Sequence, residues 1–399
     1  MQFFIHIFLS ILALVNTANA VILGVESITP FFLEQQGIKK DACIGIVANQ
    51  TSKTSNKQSS VGFLVKKGFN ITHIFAPEHG YDGKTLAEKG VRDTIDSLTR
   101  IPIISLYREN GPKIIDPKLL ATIDCIFFDL QDVGMRHYTY ISTLYKLMES
   151  ALTASKPIIV LDRPNPQGSS MEGPLVQKGF ESFISIAPIP LKHGMTAGEL
   201  ATYFNTYFFN KKVKLFVVPM KNYNRSSQNF KMLAPLSPNI KSQQAIWGYS
   251  FLGLLGEVQP FDVGVGTKHA FVMIALPEKI LSTAGWKNIE PLLSLHAIKT
   301  KSLKYHKKEK KQRFEGLLLE ITDPEKIRTN FLFESILKVC FDEKIKTQFM
   351  PNFDKAFGTP LFRSSFLSGK KYKSDEQSLK AFYKRAQSIF LYEPWPSLV

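Results

Sequence analysis

Cys125-Ile126-Phe127-Phe128-Asp129-Leu130-Gln131-Asp132-Val133-Gly134-Met135-Arg136-His137-Tyr138 is the stretch that decides the fold. Four apolar residues run without alternation into a polar turn. The segment that follows, 138–155, sets Ile141, Leu144, Met148 and Leu152 at helical spacing. An unalternating apolar run reads as a strand covered on both faces. Strand followed by amphipathic helix is the repeating unit of a parallel sheet. The pattern extends outward in both directions. Strands are predicted at 43–48, 70–76, 103–107, 124–130 and 157–162, and helices at 58–67 and 117–123. Residues 21–205 are therefore predicted to form a Rossmann-like α/β domain around a parallel sheet. Beyond it lie strand patterns at 213–218, 270–276 and 316–322 and helical patterns at 324–341 and 375–391. These predict a smaller α+β domain over 206–399.

Composition narrows the class. The chain has 399 residues, 50 Lys+Arg against 34 Asp+Glu for a formal charge of +16, and is 44% hydrophobic. That apolar content excludes an intrinsically disordered chain. Three cysteines cannot build a disulfide framework. Cys43 and Cys125 fall in strand patterns and Cys340 in a helix, so all three read as buried thiols. No Cys/His cluster suggests a metal, and no metal or cofactor is expected. The N-terminus is apolar from Phe3 to Val15 except for His6 and Ser10, and ends Thr17-Ala18-Asn19-Ala20. Small residues at −3 and −1 predict a signal peptide over 1–20, cut after Ala20, and hence a periplasmic or extracellular protein. No later run reaches eighteen apolar residues, so no stable membrane insertion is expected after cleavage. The basic stretch 299–313 reads as a solvated loop or helix face, or as a surface attracting an anionic envelope polymer. It carries no nucleic-acid motif.

In an open parallel sheet, ligands bind at the carboxyl ends of the strands. Asn49-Gln50-Thr51, Pro77-Glu78-His79-Gly80, Asp129-Leu130-Gln131-Asp132 and Asp162-Arg163-Pro164-Asn165 fall there. The strand bodies carry almost no polar groups, so a polar cleft for a hydroxyl-rich or charged ligand is predicted. The first strand lacks the glycine fingerprint of a dinucleotide site, and no nucleophile elbow or zinc-peptidase motif is present. Glycoside hydrolysis needs a protonated carboxyl group near the leaving oxygen and commonly a second across the sugar. Glu78 suits the first role, or else caps a helix or pairs with Arg136 or Arg163. Glu172, in a Gly/Pro-bounded loop, could supply the second. Asp132 reads as a ligand contact or as an Asx-turn or helix cap. Asp162 and Arg163 read as an internal ion pair. Thr196 and Glu199 form a capping box, with His193 packed before it. Gly264-Val265-Gly266-Thr267 reads as a loop of close backbone approach rather than a phosphate cradle.

These motifs carry a resemblance. Phe75-Ala76-Pro77-Glu78-His79-Gly80, the stretch from Asp129 to Ile141, Asp162-Arg163-Pro164-Asn165-Pro166, Glu172-Gly173-Pro174, Pro188 to Thr196 and Ser237-Pro238-Asn239-Ile240 resemble, in order, the NamZ-type exo-β-N-acetylmuramidases. The resemblance implies a Rossmann-like domain, a cleft between two domains, and release of N-acetylmuramic acid from the non-reducing end of peptidoglycan fragments without a cofactor. It implies Glu78 as general acid/base and Glu172 as second carboxylate. It implies Asn49, His79, Gln131, Asp132, Arg136, His137, Tyr138, Arg163, Asn165, His193 and Asn239 as substrate contacts, with Arg136, His137, Arg163 or His193 receiving the lactyl carboxylate. The chain departs from the pattern at Asp82, Val263 and Val265, where the family carries other, mostly charged residues. A non-catalytic muropeptide-binding protein of the same fold is the alternative; Val263 and Val265 favour it, and retention of Glu78 and Glu172 argues against it.

Overall fold

The structure, a computed structural model, describes residues 20–86, 89–90, 92–108, 111–112, 115–307 and 311–398. The predicted signal segment lies outside the described residues except for Ala20. The first half is built on β1 (Ile44–Val47), β2 (Ile71–Ala76), β3 (Thr94–Ile95), β4 (Pro102–Ser105), β5 (Cys125–Phe128), β6 (Ile158–Leu161) and β7 (Leu215–Val218). They form one seven-stranded sheet in the order β7-β6-β5-β1-β2-β4-β3. Every neighbouring pair is parallel except β3 with β4. The chain winds outward from β1 through β2 and β4, then returns to the other side of β1 as β5. The point where strand order reverses thus lies between β1 and β5, the position at which such sheets open a crevice.

The unalternating apolar runs are explained by two cores. Side chains along a strand point to opposite faces. Val47, Phe75, Ile126, Phe128, Ile158 and Val160 pack into one core, and Ile46, Ile74, Cys125, Phe127, Ile159 and Leu161 into the other. Helix α1 (Ser60–Lys66) covers the second face with Val61 and Leu64. Helix α2 (Pro117–Ala121) is capped by Asp116. Helix α3 (Tyr140–Thr153) buries Ile141, Leu144 and Met148 in the first core, as its spacing requires, and packs on α4 (Ala197–Tyr207). The Thr196–Glu199 capping box is present.

The second half holds a three-stranded antiparallel sheet, β8 (Met273–Pro277), β10 (Gln312–Ile321) and β9 (Ile298–Lys307), in the order β8-β10-β9. Helices α5 (Gln243–Leu255), α6 (Thr283–Leu295) and α7 (Thr329–Asp342) pack with it, and their apolar residues join the first core without interruption. Two expectations shift. Leu215–Val218, assigned to the unit beginning at 206, is instead the edge strand of the first sheet, paired with Ile158–Leu161. The reason is the crossover through α4, which returns the chain parallel to β6. The described part of the basic stretch 299–313 is mostly strand rather than loop or helix, supplying β9 after Ile298 and the first two residues of β10. The three cysteines are free, with Cys125 and Cys340 buried and Cys43 half-buried. Among the described residues no helix is long and apolar enough to cross a membrane.

Candidate functional site

Glu78 follows β2 directly, after Pro77. His79 and Gly80 both take left-handed backbone (φ 72° and 79°), a conformation uncommon outside glycine. His79 Nδ1 is 2.7 Å from the Thr85 carbonyl oxygen. The turn leaves Glu78 only 7% exposed, with Thr139 Oγ1 donating to its Oε2 at 2.7 Å. So Glu78 is held neither as a helix cap nor by Arg136 or Arg163. Thr139 is the N-cap residue of α3. The loop after β5 and the loop after β2 therefore meet beside the switch point.

They open on a cavity of about 650 Å³ between the two halves. From the first half it is lined by Glu78, His79, Tyr107, His137, Tyr138, Thr139 and Phe183. From the second it is lined by Asn239, Tyr249, Glu257, Asp262, Lys307, Asn352 and Lys355, among others. Val263 and Val265, two of the departures from the resemblance, line it too. His137 stacks on Tyr249, ring centroids 4.8 Å apart. Gly253 makes this possible, since a Cβ there would fall 2.6 Å from His137 Nε2. Burial first, and then the neighbouring Arg136 charge, push His137 down to about 3, so its ring is neutral at ordinary pH. Neither ring nitrogen has a hydrogen-bond partner among the described residues. Burial also raises the Tyr249 phenol, with the carboxylates of Asp132, Glu78 and Glu257 adding to it. Tyr249 therefore remains a donor in the field of two cavity carboxylates. Tyr138, likewise raised by burial, donates to the Leu236 carbonyl at 2.7 Å.

The structure brings together five of the thirteen residues expected at the site: Glu78, His79, His137, Tyr138 and Asn239. The other eight do not line the cavity; most of their polar atoms are engaged elsewhere, while Asp132 Oδ2, Arg163 Nη1 and His193 Nε2 are buried with no hydrogen-bond partner among the described residues. Glu172, the expected second carboxylate, is buried 3.4 Å from Lys192 Nζ, and its other oxygen accepts from Asn330 N. Arg163 pairs with Asp129 rather than Asp162, through Nε–Oδ1 at 2.7 Å and Nη2–Oδ2 at 2.9 Å. Asp162 instead accepts from Thr196, Gly198 N and the Tyr392 hydroxyl. Arg136 places all five of its N–H bonds on Ser185 Oγ and the carbonyls of Pro174, Ile189, Ala356 and Phe357. Asn49 donates to the Tyr140 hydroxyl at 2.6 Å. Gln131 donates to the carbonyls of Asp132 and Pro164. Asn165 donates to Met195 O. His193 Nδ1 accepts from Met195 N, and its Nε2 lies 3.8 Å from Asp132 Oδ1. Asp132 forms the expected Asx-turn to Gly134 N, and burial raises its carboxyl against the opposing pull of His193.

Tyr249, Asp262, Lys307, Asn352 and Lys355 escaped the sequence reading. They come from helix, strand and loop patterns that resemble any solvated or packed face, and no motif marks them. Glu257, which also lines the cavity, was not singled out at the site either. Among the described residues no group of three or more His, Cys, Asp or Glu is placed to hold a metal ion.

Comparison with known proteins places the chain among relatives over nearly its whole length. Residues 44–244 match the N-terminal and residues 247–392 the C-terminal family model described as exo-β-N-acetylmuramidase NamZ. The chain is 33% identical over 386 residues to the peptidoglycan β-N-acetylmuramidase NamZ of Bacillus subtilis (strain 168), covering 92% of this chain and 91% of that one. Two crystal structures of DUF1343 family proteins from Bacteroides fragilis share the fold. One has a TM-score of 0.77 at 26% identity, covering 94% of this chain and 99% of that one. The other has a TM-score of 0.71 at 25% identity, covering 95% and 100%.

Proposed function

The chain belongs to the NamZ family of exo-β-N-acetylmuramidases, and we propose that it works as one. It is a glycosidase that releases N-acetylmuramic acid from the non-reducing end of peptidoglycan fragments. The observation that carries the reading is Glu78, an acid at the end of β2 that lines the cavity between the halves and is aimed by Thr139. Its carboxyl group protonates the glycosidic oxygen as the C1–O bond breaks, and positive charge develops on the sugar ring. Water then adds to C1 and returns a proton to the carboxylate. The second carboxylate in this proposal is Glu257, because it lines the same cavity and shares the field at Tyr249 with Glu78. Glu172, buried against Lys192, takes no part. Tyr249 supplies a hydrogen bond to the sugar, and neutral His137 stacks on the Tyr249 ring. Export belongs to the proposal and is supported by the pattern of residues 3–20 alone.

The test is turnover of para-nitrophenyl N-acetylmuramide. Glu78→Gln is expected to lower kcat by roughly 10²- to 10⁴-fold, the range for a lost general acid, with unchanged thermal unfolding. Retained turnover removes Glu78 from its role. Wild-type binding without turnover would favour the muropeptide-binding alternative.

A further inference from the structure

A muramic sugar differs from its glucosamine parent by a lactyl ether that ends in a carboxylate. A cavity already holding Glu78, Glu257 and Asp262 repels such a group unless a cation meets it. Four residues suggested by sequence for that task do not supply one. Arg136, Arg163 and His193 lie outside the cavity, and His137 is held neutral. His79 commits Nδ1 to the Thr85 carbonyl. Lys307 is paired with Asp262 at 2.6 Å.

Among the described residues one lining cation is left. Lys355 sits on the short helix Phe353–Phe357, whose Phe353, Ala356 and Phe357 are buried while Lys355 is exposed to the cavity. It makes no ion pair among the described residues. The adjacent acid, Asp354, is committed to Arg363 at 2.7 Å. Asn352, one step before the helix, also lines the cavity, and its side chain makes no cap hydrogen bond. The helix does not drift, because Arg136 Nη2, from the first half, donates to the carbonyls of Ala356 and Phe357. We propose that Lys355, with the Asn352 amide beside it, receives the lactyl carboxylate and sets the preference for a muramic over a glucosamine sugar. The inference rests on the glycosidase reading for its substrate.

The experiment compares para-nitrophenyl N-acetylmuramide with its lactyl methyl ester. Hydrogen bonds to a charged group correspond to roughly 10- to 100-fold, so the wild type is expected to favour the acid by that factor in kcat/KM. The ratio falls toward one in Lys355→Met and is largely kept in Lys355→Arg. It is unchanged in Lys287→Met, a control on α6 remote from the cavity lining. No discrimination in the wild type, or full discrimination in Lys355→Met, overturns the assignment. Calorimetric binding of free N-acetylmuramic acid separates the two readings. Lysine-dependent binding without turnover overturns the hydrolase reading alone, whereas turnover with lysine-independent binding overturns Lys355 alone.

Discussion

Replacing Arg136 by lysine is expected to weaken the seam between the two halves. The guanidinium is 1% exposed and pairs with no carboxylate among the described residues. It is held by five acceptors: Ser185 Oγ at 3.1 Å, and the carbonyls of Pro174 (2.6 Å), Ile189 (2.7 Å), Ala356 (3.1 Å) and Phe357 (2.8 Å). An ammonium keeps the charge but offers three donors from one point, against five in a fixed fork. At least two acceptors therefore lose their partner in a site closed to water. Each unsatisfied group costs about 1–3 kcal/mol, so the loss is roughly 2–6 kcal/mol, a large part of an ordinary domain's stability of about 5–15 kcal/mol. Urea unfolding followed by two probes measures it. Because the Phe353–Phe357 helix and the Asn352 that precedes it bring Lys355 and Asn352 to the cavity, KM is also expected to rise more than kcat falls. A loss below about 1 kcal/mol with unchanged KM would refute the idea that this side chain locks the halves together.

Three further outcomes follow from the same geometry. The folded state holds His137 near 3, against about 6.5 when unfolded, so below 6.5 the unfolded chain binds the extra proton. The stability this contributes is present above pH 6.5 and is lost as pH falls toward 3, at about 1.4 kcal/mol per unit. Between pH 7.5 and 5, wild type should lose about 2 kcal/mol that His137→Gln does not, as read by denaturant unfolding. Asp129→Asn leaves the Arg163 charge buried with half its partner gone and is expected to cost about 3–5 kcal/mol, visible as a lowered urea midpoint. Glu172→Gln should destabilise through Lys192 with kcat within a few-fold of wild type, whereas Glu257→Gln should lower kcat by about 100-fold or more. The reverse pattern would return the second carboxylate to Glu172.

The parallel sheet was legible because its strands are buried on both faces, so Ile126-Phe127-Phe128 and Ile158-Ile159-Val160-Leu161 read as runs with no polar interruption. The seventh strand was legible as a strand, but its sheet was misplaced at the 205/206 boundary. The strand–helix–strand rule already contained the answer, since α4 is the crossover that brings Leu215–Val218 beside β6. The zone of the site was legible too, at the carboxyl ends of β2 and β5. The division of labour within that zone was not. It depends on partners far away in the chain: Arg136 meets Ala356 at a separation of 220 residues, and Glu172 meets Asn330 at 158. Local residue pattern holds no record of such contacts, so an arginine spent on carbonyls and one free to take a ligand look alike.

That division has a physical logic. In the motif from Asp129 to Tyr140, the early members turn inward and satisfy one another or the backbone: Asp129 through Arg163, Gln131 through Pro164, Asp132 through Gly134, Arg136 through the second half. Only His137, Tyr138 and Thr139 reach the cavity. A general acid works only if its carboxyl group is held within a fraction of an ångström of the bond it cleaves. Thr139 provides that hold for Glu78, and Thr139 sits at the start of α3 after a loop anchored through Asp129, Gln131 and Arg136. The density of polar residues in the motif therefore marks the shelf that aims the acid. Contact with the sugar is left to the few side chains at its edge and to the opposite half of the molecule.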